Sequence, residues 1–309
     1  MRYGIHLSAS GPLATPERIA ALAERAEALG FDSVWVSDHV AFPVGFQSVY
    51  PYGPPSAFTQ QTAHYYEPLV TLAWVAGRTR RVRLGTSVLV VPMRNPVYLA
   101  KQAATLDRLA GGRLILGVGA GWQREEFEAL GVTTFAQRGA VLDEWIRLMR
   151  RLWTEEVVEF SGAFYQVGPI IVNPKPAQPG GPPILVGGNG PRALRRAAEL
   201  GDGWHAIRLS VAEVAAGASR LRALAEAAGR EPGSLEVSLR VDAAHGEAAG
   251  GPEEWWIQGA APAAAERVRQ YRQAGCGMLL FGLTPATSAE AMSATMEWLA
   301  GEVLPAAED

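Results

Sequence analysis

The chain has 309 residues, 48% hydrophobic and 19% charged, a balance that supports a large core and excludes a disordered chain. Its formal net charge of -3, with no block of like charges, leaves no electrostatic footprint for nucleic acid or an acidic membrane surface and favours small-molecule chemistry. One cysteine, Cys276, excludes an intrachain disulfide, and its place before Met278-Leu279-Leu280-Phe281 reads as a buried thiol.

Residues 3–7 form a short apolar run, and Thr15-Pro16-Glu17 then supplies an N-cap with proline at the first helical position. Apolar residues recur at helical spacing over 19–29, Gly30 stops the helix, and 33–37 is β-rich. The alternation continues with a strand over 82–91, a helix over 96–109, a strand over 113–118 and a long helix from about 135 to 153. The second half adds strands over 183–186, 203–207, 235–241 and 278–283, each followed by a helix, over 191–200, 211–228, 262–274 and 289–299. Eight strands alternating with helices make a TIM-type (β/α)8 barrel in a single domain over 1–309, with loop insertions at the C-terminal face. A dinucleotide fold would carry a glycine fingerprint after its first strand, where this chain reads Ser8-Ala9-Ser10-Gly11-Pro12.

Three connectors are long: 39–67, 157–182 and 242–261. The first and third follow strands two and seven and so emerge at the mouth where barrel active sites lie. The second reads as a hairpin around Ser161-Gly162 trailed by prolines, a packing element. No run is long enough to cross a membrane and the N-terminus builds no signal region, so a cytoplasmic enzyme is expected.

Asp38 and His39 end the second strand, where side chains point into the mouth. There an imidazole donates a proton or hydrogen bond and a carboxylate holds a polar ligand edge, unless the pair simply caps local backbone. A metal-dependent barrel hydrolase stays as an alternative, since His6 and His205 fall in strands, although His64 and His245 lie scattered. Gly187-Gly188-Asn189-Gly190 follows the fifth strand and opens a helix beside Arg192, Arg195 and Arg196, a phosphate seat or a bare turn. Gly119-Ala120-Gly121-Trp122 follows the fourth strand and permits close approach of a ligand or tight packing. Aromatic residues Phe42, Phe46, Tyr50, Tyr52, Phe58, Tyr65 and Tyr66 wall a flat substrate or form a dimer interface.

Trp35-Val36-Ser37-Asp38-His39, residues 84–89, Arg94-Asn95-Pro96, 111–122 and 187–190 occur in the order of a known family. The chain resembles the bacterial luciferase-like superfamily, and within it the branch of oxidoreductases that use coenzyme F-420, a deazaflavin. The resemblance implies an eight-stranded α/β barrel and hydride exchange between the deazaflavin and a small organic substrate. Asp38 and His39 would contact the ring, with His39 donating to a substrate heteroatom, and a non-prolyl cis peptide at Ser87-Val88 would support the ring's back face. Gly187, Gly188, Asn189 and Gly190 would hold the phosphate, and Gly119, Ala120 and Gly121 would line the cleft. From their own chemistry rather than from the resemblance, Phe42, Tyr65, Tyr66 and Trp122 are expected to line the substrate pocket. A homodimer is also implied, and an FMN-dependent monooxygenase is the alternative within the same superfamily. Members that oxidise sugar phosphates carry glutamate where this chain has Trp122, which points to other substrates. Glu125 and Glu126, next on the helix, read as solvent-facing residues or as sources of polar contacts.

Overall fold

A computed structural model describes residues 1–53, 64–245, 254–283 and 288–308. The first half runs β1 (Arg2–His6), α1 (Pro16–Ala28), β2 (Ser33–Val36), α2 (Pro68–Arg78), β3 (Arg83–Thr86), β4 (Leu89–Val90), α3 (Pro96–Leu109), β5 (Leu114–Gly119), α4 (Arg124–Ala129) and α5 (Arg138–Thr154). The hairpin β6 (Val158–Ser161) and β7 (Gln166–Ile170) leads to β8 (Ile184–Gly187), α6 (Pro191–Leu200), β9 (Gly203–Ile207), α7 (Val211–Ala227) and β10 (Glu236–Ala243). The chain closes with β11 (Trp256–Ile257), α8 (Ala261–Gln273), β12 (Met278–Gly282), α9 (Ala289–Trp298) and α10 (Leu304–Glu308). Helix starts follow local chemistry: Thr15 accepts the Arg18 N–H ahead of Pro16, Asn95 accepts two N–H groups ahead of Pro96, and Ser210 and Glu213 form a capping box.

Strands β1, β2, β3, β5, β8, β9, β10 and β12 pair in parallel in that order, and β12 returns to β1. The result is the closed barrel expected from the alternation. Successive side chains alternate between the helix-facing annulus and the lumen. Leu114, Leu116, Val118, Ile184 and Val186 belong to the annular core, whereas Trp35, Ile115, Leu185, Met278 and Leu280 form a separate cluster inside the barrel. Cys276 lies in the annular core, and burial pushes its thiol up to about 12.

Three expectations need correction. Residues 82–91 are not one strand: β3 stops at Thr86 and β4 begins at Leu89, where pairing passes to Val118 and Gly119 of β5. Residues 68–78, which the alternation leaves unassigned, form a helix capped by the Glu67 carboxylate, with Pro68 in its first turn. The connector after strand seven is shortened, since β11 adds to β10 at Asp242 and Ala243. The 157–182 segment is a hairpin as expected, fastened to α5 by Glu144, which accepts the N–H groups of Ala163, Phe164 and Tyr165.

Candidate active site

Above Trp35 the lumen becomes polar. His6 Nε2 lies 2.8 Å from Ser37 Oγ, and Ser37 donates to the Ser87 carbonyl at 3.1 Å. Ser87 Oγ lies 2.8 Å from His205 Nε2, whose Nδ1 lies 2.9 Å from Ser238 Oγ. The His205 ring stacks on Trp35 at 5.3 Å and an interplanar angle of 6°. Burial, reinforced by the positive field of Arg240, lowers His205 to about 3 and holds His6 well below the usual imidazole range. Both rings are therefore neutral hydrogen-bonding struts. Among the described residues no group of three or more His, Cys, Asp or Glu could hold a metal ion.

The Ser87-Val88 peptide is cis, as the resemblance implied. The Val88 side chain lies in the lumen against β5 and β8. A Cβ at Gly119 would fall 2.6 Å from Val88 Cγ2, and one at Gly187 would fall 2.7 Å from Val88 Cγ1. These two glycines therefore give Val88 its space and, with it, form an apolar shelf at the mouth. Gly121 stands apart from the shelf: at φ +85° it turns the chain beside Val90 and Phe127, and half-buried Ala120 precedes it.

Asp38 and His39 do end β2 at the mouth, but their side chains have different surroundings. Both Asp38 oxygens meet Arg94, at 2.6 and 2.8 Å, and Oδ2 also accepts the Val90 N–H at 2.8 Å. With almost no exposed surface, Asp38 anchors the β4 turn and Arg94. His39 Nδ1 lies 3.0 Å from Glu126 Oε2, while Oε1 accepts the N–H groups of Val40 and Ala41 at 2.6 and 3.2 Å. Glu126 is 2% exposed, so the solvent-facing reading is wrong for it. A carboxylate has only acceptors to offer, so Nδ1 carries the hydrogen and Nε2 is the working atom of His39. Glu125 is also engaged: against its desolvation, the Ser48 hydroxyl and the N–H groups of Gln47 and Ser48 draw its carboxyl down to about 2.

Around His39 stand Phe42 at 4.4 Å, Tyr65 at 5.0 Å and Trp122 at 6.0 Å between ring centroids. Trp122 also meets Phe46 and Tyr50 edge-on, and Tyr50 meets Tyr52. Tyr66 does not join this cluster: its ring meets His64, and its N–H donates to the Ala9 carbonyl. Phe58 lies outside the described residues.

Gly187, Gly188, Asn189 and Gly190 carry β8 into α6 on the far side of the same mouth. No side chain caps α6, and its first turn holds no acidic residue, which leaves the positive helix end open to an anion. The Asn189 amide is committed elsewhere, exchanging hydrogen bonds with the N–H and carbonyl of Ile207. Of the three nearby arginines, Arg196 pairs with Asp143 and Arg195 with Glu199, so Arg192 is the one beside the helix start that these pairs leave out. An uncapped helix end, an apolar shelf and an aromatic wall suit a flat ring with a phosphate-bearing tail.

The family model described as luciferase-like monooxygenase matches residues 1–250. The chain belongs to that family. Among curated relatives of this luciferase-like protein, an uncharacterised Mycobacterium tuberculosis protein is 41% identical over 184 residues, covering 59% of this chain and 62% of its own length. A protein of Kineococcus radiotolerans named F-420-dependent glucose-6-phosphate dehydrogenase is 41% identical over 199 residues, covering 63% of this chain and 54% of its own. The chain thus spans less than two thirds of the length of these relatives. Among solved structures, the monooxygenase RslO1 of Streptomyces bottropensis superposes with a TM-score of 0.82 at 25% identity over 99% of both chains. An F-420-dependent secondary alcohol dehydrogenase, in complex with an F-420-acetone adduct, gives 0.80 at 20% identity over 100% of this chain and 99% of its own. The oxygenating component of 3,6-diketocamphane monooxygenase from Pseudomonas putida, in complex with FMN, gives 0.79 at 16% over 99% and 98%. The last two likenesses show the barrel fold alone.

Proposed function

We propose that this luciferase-like protein is an F-420-dependent oxidoreductase that exchanges a hydride with a small organic substrate other than a sugar phosphate. The observation that carries the reading is the buried His39–Glu126 pair, set at 3.0 Å within an aromatic wall at the same mouth as the open start of α6. The relative from Kineococcus named for F-420 supports the choice of cofactor.

When bound, a deazaflavin supplies a ring carbon that gives or takes the hydride. Val88, Gly119 and Gly187 would support its back face, and Gly188, Gly190 and the α6 start would hold its phosphate. Glu126 fixes the His39 ring, so that Nε2 can pass a proton to, or take one from, the substrate atom whose charge changes. Asp38 keeps Arg94 and the β4 turn in place. Phe42, Tyr65 and Trp122 would exclude water, and Trp122 stands where, by the resemblance, members that oxidise sugar phosphates carry glutamate.

The second reading, an FMN monooxygenase, draws on the neighbours named monooxygenases. Titration with F-420 and with FMN separates the two. Quenching and thermal stabilisation by F-420 alone are expected, and tight FMN binding with none of F-420 sinks the proposal. A screen of secondary alcohols, imines and electron-poor alkenes, run with wild type and His39→Ala, then identifies the substrate class. Full activity in the variant removes His39 from the chemistry.

A further inference from the structure

Arg113 shows how this chain satisfies a structural arginine: its guanidinium donates to the carbonyls of Ala110, Val82, Ala76 and Thr79 and to the Thr79 hydroxyl. Arg94 is met by Asp38 and Glu67. Arg240 is not provided for in this way. It projects from β10 into the lumen at the mouth, and among the described residues its guanidinium donates one hydrogen bond, at 3.2 Å to Ser37 Oγ. Ser37 is a neutral hydroxyl already shared with His6 and Ser87. The carboxylate beside it, Asp242, is engaged by Arg208 Nε at 2.7 Å, so two guanidinium groups share one acid.

Among the described residues, the other groups that face Arg240 carry no negative charge. They are His6 of β1, Ser37 beyond β2, Tyr50 and Tyr65 of the following segment, His205 and Arg208 at β9, and Ser238 of β10. Burial pushes the phenols of Tyr50 and Tyr65 up, so they stay neutral, and both histidines are neutral as well. An arginine keeps its charge at any ordinary pH, and a half-buried guanidinium that makes one hydrogen bond among the described residues has N–H groups turned to the open mouth, where an anion can meet them.

We propose that Arg240 seats an anionic oxygen group of the ligand bound in the mouth: a carboxylate of the substrate, or an anionic oxygen of the coenzyme itself. This assignment rests on the proposed function only in taking the mouth as the ligand site. A substrate anchored in this way is a small organic acid whose reacting carbon is directed towards His39 and the shelf.

Benzoate and its neutral analogue benzamide, titrated at constant ionic strength into the full chain with and without F-420 and followed by tryptophan fluorescence, test the idea. Wild type is expected to prefer benzoate at least tenfold, Arg240→Gln to lose that preference and Arg240→Lys to retain part of it. If instead Arg240→Gln weakens F-420 at least tenfold and leaves benzoate unchanged, the seated oxygen belongs to the coenzyme. No preference for benzoate in wild type, together with unchanged F-420 affinity in the variants, overturns the assignment. Should Arg240→Gln not fold, the wild-type preference and the lysine variant decide the matter alone. Failure of F-420 to bind wild type would refute the proposed function, while the benzoate comparison without coenzyme still tests Arg240.

Discussion

His205→Gln tests whether the polar floor of the lumen depends on a neutral imidazole. Native His205 is lowered from the ordinary 6.5 to about 3 by burial and by Arg240. In the unfolded chain it titrates normally, so between these values the unfolded state binds the extra proton and stability rises with pH. At pH 5, roughly 1.5 pH units below the unfolded value, the wild type is destabilised by about 2 kcal/mol through this residue, at about 1.36 kcal/mol per unit. Glutamine spans the same two serines without taking up a proton. Urea unfolding at pH 7 and pH 5 is the assay: the variant is less stable at pH 7 through loss of the stack on Trp35, but should lose about 2 kcal/mol less than wild type on acidification. Parallel losses in the two proteins would refute the reasoning. His6, also held neutral, leaves a residual slope of the same sign in both.

Three further outcomes follow from the same geometry. Glu126→Gln keeps the shape but removes the carboxylate that orients the His39 ring through Nδ1, so turnover should fall by about 10², read from kcat. Gly190→Asp adds a cap to α6 at a position where a Cβ meets nothing, which should stabilise the fold by up to about 1 kcal/mol in urea unfolding while weakening F-420 at least tenfold by titration. Gly119→Ala drives a methyl into Val88 and should cost about 1–3 kcal/mol of stability together with coenzyme affinity, measured on one preparation.

The barrel was legible in the sequence because each strand and helix announces its own period, and proline or a capping side chain marks most helix starts. What escaped the reading were contacts between distant segments. Glu126 reads either as solvent-facing or as a source of polar contacts, since sequence spacing says nothing of its meeting His39, 87 positions away. Arg94 was visible within a motif, yet its bidentate grip on Asp38 was not. The three arginines of α6 read as one basic patch, whereas acidic neighbours on α5 and α6 claim two of them. Helix α2, just beyond the 39–67 connector, was left unassigned although Glu67-Pro68 is a readable start signal. Arg240 gave no signal at all, because a charged residue in a strand declares its face only once the register is known.

The hydrogen-bonded floor and the aromatic wall come from different parts of the chain. His6, Ser37, Ser87, His205 and Ser238 tie successive strands together across the lumen, whereas Phe42, Tyr65 and Trp122 stand on connectors that add little to barrel closure. The two sets can therefore evolve at different speeds. A search for new substrates should randomise the three wall positions and leave the five floor positions alone, because the former can change what the mouth admits without loosening the staves that hold it open.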